Sequence, residues 1–201
     1  MSDSPHSRDY PHASWQVNLV DCGQVSDTIE SVDSLARVNN EILPLVVHTG
    51  ALSYARPVGA TSWQTRTDLD ADPVEQVSAG VRAAGFEPVF AHGTSWRFDL
   101  SQRALVLTFA VVVADEEVPA GFEWRPARAT GHAVSGALTS PSQIDVDQVV
   151  HHALRHLAFL RDEDPVARAH LRTEWLTALE RFTPTTARLL SANALFSGPD
   201  P

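Results

Sequence analysis

The chain has 201 residues, 43% hydrophobic and 20% charged, an ordinary globular composition for about one domain. Fifteen Arg and no Lys stand against 25 acidic residues, and the net charge of −10 disfavours both nucleic acid and anionic membrane surfaces as partners. The longest apolar run, 105–114, is far short of the roughly 20 residues that span a bilayer, and no apolar h-region opens the chain.

Residues 1–14 are polar, with two Pro and two His, and read as a disordered tail. A first strand is expected over 15–20. From Ser31 as cap, Val32, Leu35, Val38 and Ile42 recur at helical spacing, and Pro44 ends that helix. Strands follow at 45–47, at 52–58 after a turn at Gly50, and at 61–67, where Thr61, Trp63, Thr65 and Thr67 alternate with polar residues. Asp72-Pro73 opens a helix with Val74, Val77, Val81 and Ala84 on one stripe, and Gly85 closes it. Strands are expected at 89–91 and 96–100. The run 105–113, broken only by Thr108, marks the central strand, covered on both faces. Residues 115–143 read mainly as loop, with a short strand at 122–125.

The last third is helical. Ser142 and Asp145 resemble a capping box ahead of a stripe from Val146 to Leu160. Asp164-Pro165 repeats the cap-plus-Pro start, with Ala167, Leu171, Trp175, Leu179 and Phe182 on one face. Pro184 breaks that helix, and 186–196 form a last short one. The whole specifies an α+β domain over 15–197: a mixed or antiparallel sheet, flanking helices and a helical part over 142–197.

The single cysteine, Cys22, allows neither an internal disulfide nor a multi-Cys zinc site, and a cytoplasmic location is expected. Gly-rich phosphate loops and a Gly-x-Ser-x-Gly elbow are absent from the sequence. Trp and Arg together suit a planar or anionic ligand. Trp63, Trp96 with Arg97, and Trp124 with Arg125 lie on three strand-like segments that would line one concave face, with His92 nearby. The alternative is that these Trp are core and the Arg lie on the far face by alternation. A second candidate is a divalent-metal site. Asp145, His152 and His156 fall within about 40° of one another around a helix, and the His pair has i, i+4 spacing. His92 or His48 would supply a fourth ligand. The zincin Glu is missing between the histidines, and the alternative there is a solvated helix side.

Three readings follow. The first is a small-molecule-binding domain with a Trp/Arg-lined site. The second is a metal-assisted enzyme using His152, His156 and Asp145. In the third, the C-terminal helices are an interaction face, for a partner protein or for a homo-oligomer.

Residues 45–125 resemble the Nudix family. The stretch from Asp72-Pro73-Val74-Glu75 to Gly85-Phe86 is similar to the Nudix-box helix with its final Gly-aliphatic pair, and Trp124 resembles the Trp of a late strand in that family. On that placement Gln64 stands for the family's Gly and Asp70 for its first Glu. Ser78 and Ala79 replace the Arg-Glu pair, and Arg82 and Ala83 the later two Glu. The resemblance therefore implies a degenerate copy without the carboxylates that hold Mg²⁺, and without standard pyrophosphohydrolase activity.

Overall fold

The computed structural model describes residues 37–48, 50–68, 70–99, 102–114, 117–127 and 144–189. The expected tail at 1–14, strand at 15–20, caps at Ser31 and Ser142, and most of the helix over 186–196 lie outside the described residues, as does Cys22.

Among the described residues the order is β1 (Arg37–His48), β2 (Ala51–Pro57), β3 (Trp63–Arg66), α1 (Pro73–Ala83), β4 (Pro88–Asp99), β5 (Ala104–Val113), β6 (Phe122–Pro126), α2 (Val146–Glu163), α3 (Pro165–His170), α4 (Thr173–Ala178) and β7 (Arg188–Leu189), with a 3₁₀ turn at Leu179–Arg181. The fold is α+β. One mixed sheet runs β6-β2-β1-β5-β4-β7, and β3 pairs with β1 beyond β2. The central pair, β1 and β5, is parallel, and the hairpins β1–β2 and β4–β5 are antiparallel.

From Arg37 onward β1 stands where the helix ending at Pro44 is expected; the start of that helix lies outside the described residues. Val38 and Ile42 are four residues apart, an even separation that shares a face in a strand as well as in a helix, so that spacing alone does not discriminate. Pro44 is tolerated because β1 changes partner there. Residues 39–42 pair with β3 and residues 45–48 with β2, so Pro44 falls in the gap where no donor is needed on that edge. β4 joins the two strands expected at 89–91 and 96–100, with a register shift between Gly93 and Ser95. β7 stands at 188–189, within the helix expected over 186–196.

The sheet is covered on both faces. On one, α2 and the C-terminal helices bury Leu43, Leu45, Val47, Ala110 and Val112 against Leu154, Leu157, Trp175 and Leu179. On the other, α1 buries Ile42, Val46, Phe109, Val111 and Val113 with Val77, Val81 and Phe86. Alternation along β1 and β5 divides each strand's side chains between these two layers. Asp72 caps α1 by accepting from the N–H groups of Val74 and Glu75. At the other end Gly85 has φ +95°, with Phe86 N–H donating to Val81 O and Gly85 N–H to Arg82 O. That left-handed stop delivers Phe86 to the core. α2 is capped by Asp145 with Gln148 as its box partner, one turn later than the expected Ser142 start. The helix expected from Asp164 to Phe182 breaks at Leu171, whose backbone is extended, yet Ala167, Leu171, Trp175, Leu179 and Phe182 all still enter the core. The apolar stripe of the C-terminal helices is thus spent within the chain. No helix among the described residues is long and apolar enough to cross a membrane.

Candidate functional site

Glu41 sits in β1 with the parity of Leu43, Leu45 and Val47, so it faces the α2 layer. It is buried to 1% exposure. An isolated carboxylate there would be prohibitive, and Arg97 compensates it. Arg97 lies on β4 beside Val106 of β5. To reach β1 it must cross β5, two strand spacings or about 9.6 Å, which two long side chains together can bridge. Its Nη1 and Nη2 donate to Glu41 Oε2 and Oε1, each at 2.6 Å. Thr108, between them on β5, donates to Glu41 Oε2 at 3.0 Å and accepts from Arg97 Nη1 at 3.2 Å. The pair is bidentate, the stronger ion-pair geometry.

Glu41 and Arg97 line a cavity of about 460 Å³, within the usual size range of small-molecule sites. Thr61, Ser62 and Gln64 form one wall and Asp99 and Gln102 another. Ile144, Val146 and Val149, at the start of α2, supply an apolar third. Arg97 is engaged by Glu41, so the pair adds no net charge to the lining. The chemistry on offer is amide, hydroxyl and carboxylate opposite an aliphatic wall.

A second, smaller cavity of about 260 Å³ lies on the same face and shares Val146. Tyr54, Arg56 and Arg125 line it from β2 and β6, and Asp145 and Asp147 from the first turn of α2. Tyr54 donates to Asp147 Oδ1 at 2.9 Å. Burial and then that bond to a carboxylate raise the Tyr54 phenol well above its ordinary range, so it remains a donor.

The expected residues separate. Trp63 and Trp124 share the α1 face with Phe86 and Phe122 as an edge-to-face aromatic packet. Trp96 is on that face too but is 41% exposed, and β4 is four strand positions from β6, about 19 Å. The three Trp therefore do not line one site. Arg97 and Arg125 project to the opposite face by alternation, and each lines one of the two cavities. His92 lines neither. Its ring stacks on Phe90 at 6.0 Å and on His156 at 5.2 Å, in a ladder that continues to Phe159 and His170.

Asp145, His152 and His156 do not converge. Asp145 is seven residues before His152, a rise of about 10.5 Å that azimuth alone conceals. It serves as the cap of α2. His152 Nε2 donates to Thr94 O at 3.2 Å and His156 Nδ1 to Thr185 O at 3.0 Å. These bonds tie α2 to β4 and to the C-terminal segment. No group of three or more metal-ligating side chains occurs among the described residues. His48 ends β1, exposed.

Burial lowers the pKa of His92, with Asp164 opposing, and burial lowers that of His156, with the Thr185 bond opposing and His92 adding to the fall. Both rings then stay neutral to lower pH in the fold than in the unfolded chain, which takes up protons near 6.5. Stability is therefore full above 6.5 and is lost as pH falls through that value toward the lower folded values. The urea midpoint is expected to drop between about pH 7.5 and about pH 5.5, and the drop to shrink in His156→Phe. An unchanged slope in that variant would remove His156 from the effect.

Glu41 is the residue that sequence reasoning missed. Its signal was present: a charge at the parity of a buried face, ahead of the apolar run Ile42 to Val47, with Thr108 as the one polar break in 105–113. No protein-family model matches the chain, and no curated protein matches it.

Proposed function

We propose that this chain is a cytoplasmic small-molecule-binding domain, and that its ligand sits in the cavity lined by Glu41 and Arg97. The observation that carries the reading is the position of the ion pair. A buried salt bridge adds little stability over apolar residues of the same volume. Here it forms the floor of a polar cavity, where it presents fixed donors and acceptors. Because Glu41 already neutralises Arg97, which is the cation of the lining, an uncharged or cationic ligand rich in hydroxyl or amine groups is favoured over an anion. The Nudix resemblance fits a copy repurposed for binding, since Ala79, Arg82 and Ala83 stand where that family carries its Arg-Glu carboxylate and later Glu pair.

A thermal-shift screen of polar uncharged, cationic and anionic metabolites tests this, run in parallel on the parent and on Ser62→Trp, which fills the cavity from its rim. A ligand at 100 times its Kd adds about 2.7 kcal/mol, roughly 5–10 °C for a chain of this size. The expected result is stabilisation by members of the first two classes that Ser62→Trp abolishes. Absence of any stabilising compound, or hits indifferent to Ser62→Trp, would overturn the assignment.

A further inference from the structure

The smaller cavity segregates charge in a way that the larger one does not. On the sheet side, Arg56 and Arg125 converge on a single carboxylate oxygen, Glu123 Oε1. Arg56 reaches it through Nε at 3.0 Å, and Arg125 through Nε at 3.1 Å and Nη2 at 2.8 Å. Two guanidinium groups against one carboxylate leave this side net positive, and Arg56 spends only Nε on the pair. The placement follows from pairing: Arg56 stands opposite Glu123 and Tyr54 opposite Arg125, so all four side chains share one face of β2 and β6. On the helix side, Asp145 and Asp147 belong to the first turn of α2. Asp145 Oδ1 accepts from the Asp147 backbone N–H at 3.0 Å, and Asp147 Oδ1 accepts the Tyr54 hydroxyl. Each uses its Oδ1 in these bonds. A positive wall and a negative wall therefore border one cavity of about 260 Å³.

We infer that this cavity is a binding site for a small zwitterion, its carboxylate held by Arg56 and Arg125 and its ammonium by Asp145 and Asp147. An arginine fork takes a carboxylate in planar bidentate geometry, and an ammonium satisfies paired carboxylates with its three donors. A simple anion meets the aspartates unfavourably and a simple amine meets the arginines unfavourably, so one molecule carrying both charges is selected. This site is independent of the one over Glu41 and Arg97: the two share only Val146, and neither assignment needs the other.

The test uses the full chain and the ω-amino acids glycine, β-alanine and 4-aminobutyrate as rulers of charge separation, with propionate and propylamine as single-charge controls. Binding is followed by NMR titration. At least one ω-amino acid is expected to saturate its shifts with affinity about tenfold or more above both controls. Arg125→Gln, at an exposed position, is expected to weaken that zwitterion about tenfold and to weaken propionate as well. Asp147→Asn keeps the acceptor for Tyr54 and should weaken the zwitterion while leaving propionate equal or tighter. Circular dichroism of both variants checks that each remains folded. Equal affinity for the zwitterions and the controls, shifts that do not saturate, or folded variants that bind the zwitterion as the parent does would each overturn the assignment.

Discussion

Arg97→Met is expected to destabilise the protein by about 3–5 kcal/mol, the usual cost of stranding one partner of a buried ion pair. The physical cause lies less in the lost attraction than in what remains. Glu41, at 1% exposure, would keep only the Thr108 hydroxyl as a donor among the three bonds it now accepts from Arg97 and Thr108. Urea unfolding at neutral pH measures the loss. The double variant Glu41→Met/Arg97→Met removes both charges, and should recover most of the stability because apolar side chains of similar volume pack there without a desolvation penalty. A single variant within about 1 kcal/mol of the parent would show that Glu41 finds another partner or water. The double variant also separates stability from function. If the pair is the floor of a ligand site, the double variant folds and loses the stabilising ligands that the parent binds. If the pair only holds β1 to β4, binding survives.

Val111→Asp is expected to cost about 5 kcal/mol or more, comparable to the whole stability of a marginal domain, so that soluble folded protein is largely lost at room temperature. Val111 is fully buried in β5, between Pro44 of β1 and Ala91 of β4, on the face that α1 covers. Its neighbours there, Ile42, Val46, Val77 and Val81, offer no cation and no donor to a carboxylate. Leu105→Asp on the same strand is the contrasting control. Leu105 is only half-buried, beside the exposed Phe98, and a charge at that position can reach water. Soluble expression and circular dichroism of the two variants compare them directly. A folded Val111→Asp protein would take this strand out of the core.

The sequence by itself determined the α+β class, the central position of β5, both capped helix starts at Asp72 and Asp164, and the end of α1 at Gly85. Each of these rests on local chemistry: an unbroken apolar run, a carboxylate ahead of Pro, a residue free to adopt positive φ. The set of apolar residues that the C-terminal helices bury was legible as well, because hydrophobic periodicity survives a helix break that local pattern did not show. What only the tertiary structure decided was partnership between distant segments. Whether Pro44 ends an element depends on which strands flank β1, and that pairing brings residues 63–66 and 51–54 to its two halves. Alternation sends Trp96 and Arg97 to opposite layers, so an adjacent Trp and Arg made one motif in sequence and two environments in space. Asp145, His152 and His156 agreed in azimuth but not in rise, and hydrogen-bond partners from β4 and the C-terminal segment claimed the two rings. The Glu41–Arg97 pair spans 56 residues of chain and crosses an intervening strand. A buried charge can be suspected from its parity, but its counter-ion is chosen by sheet order, which is a non-local property of the fold.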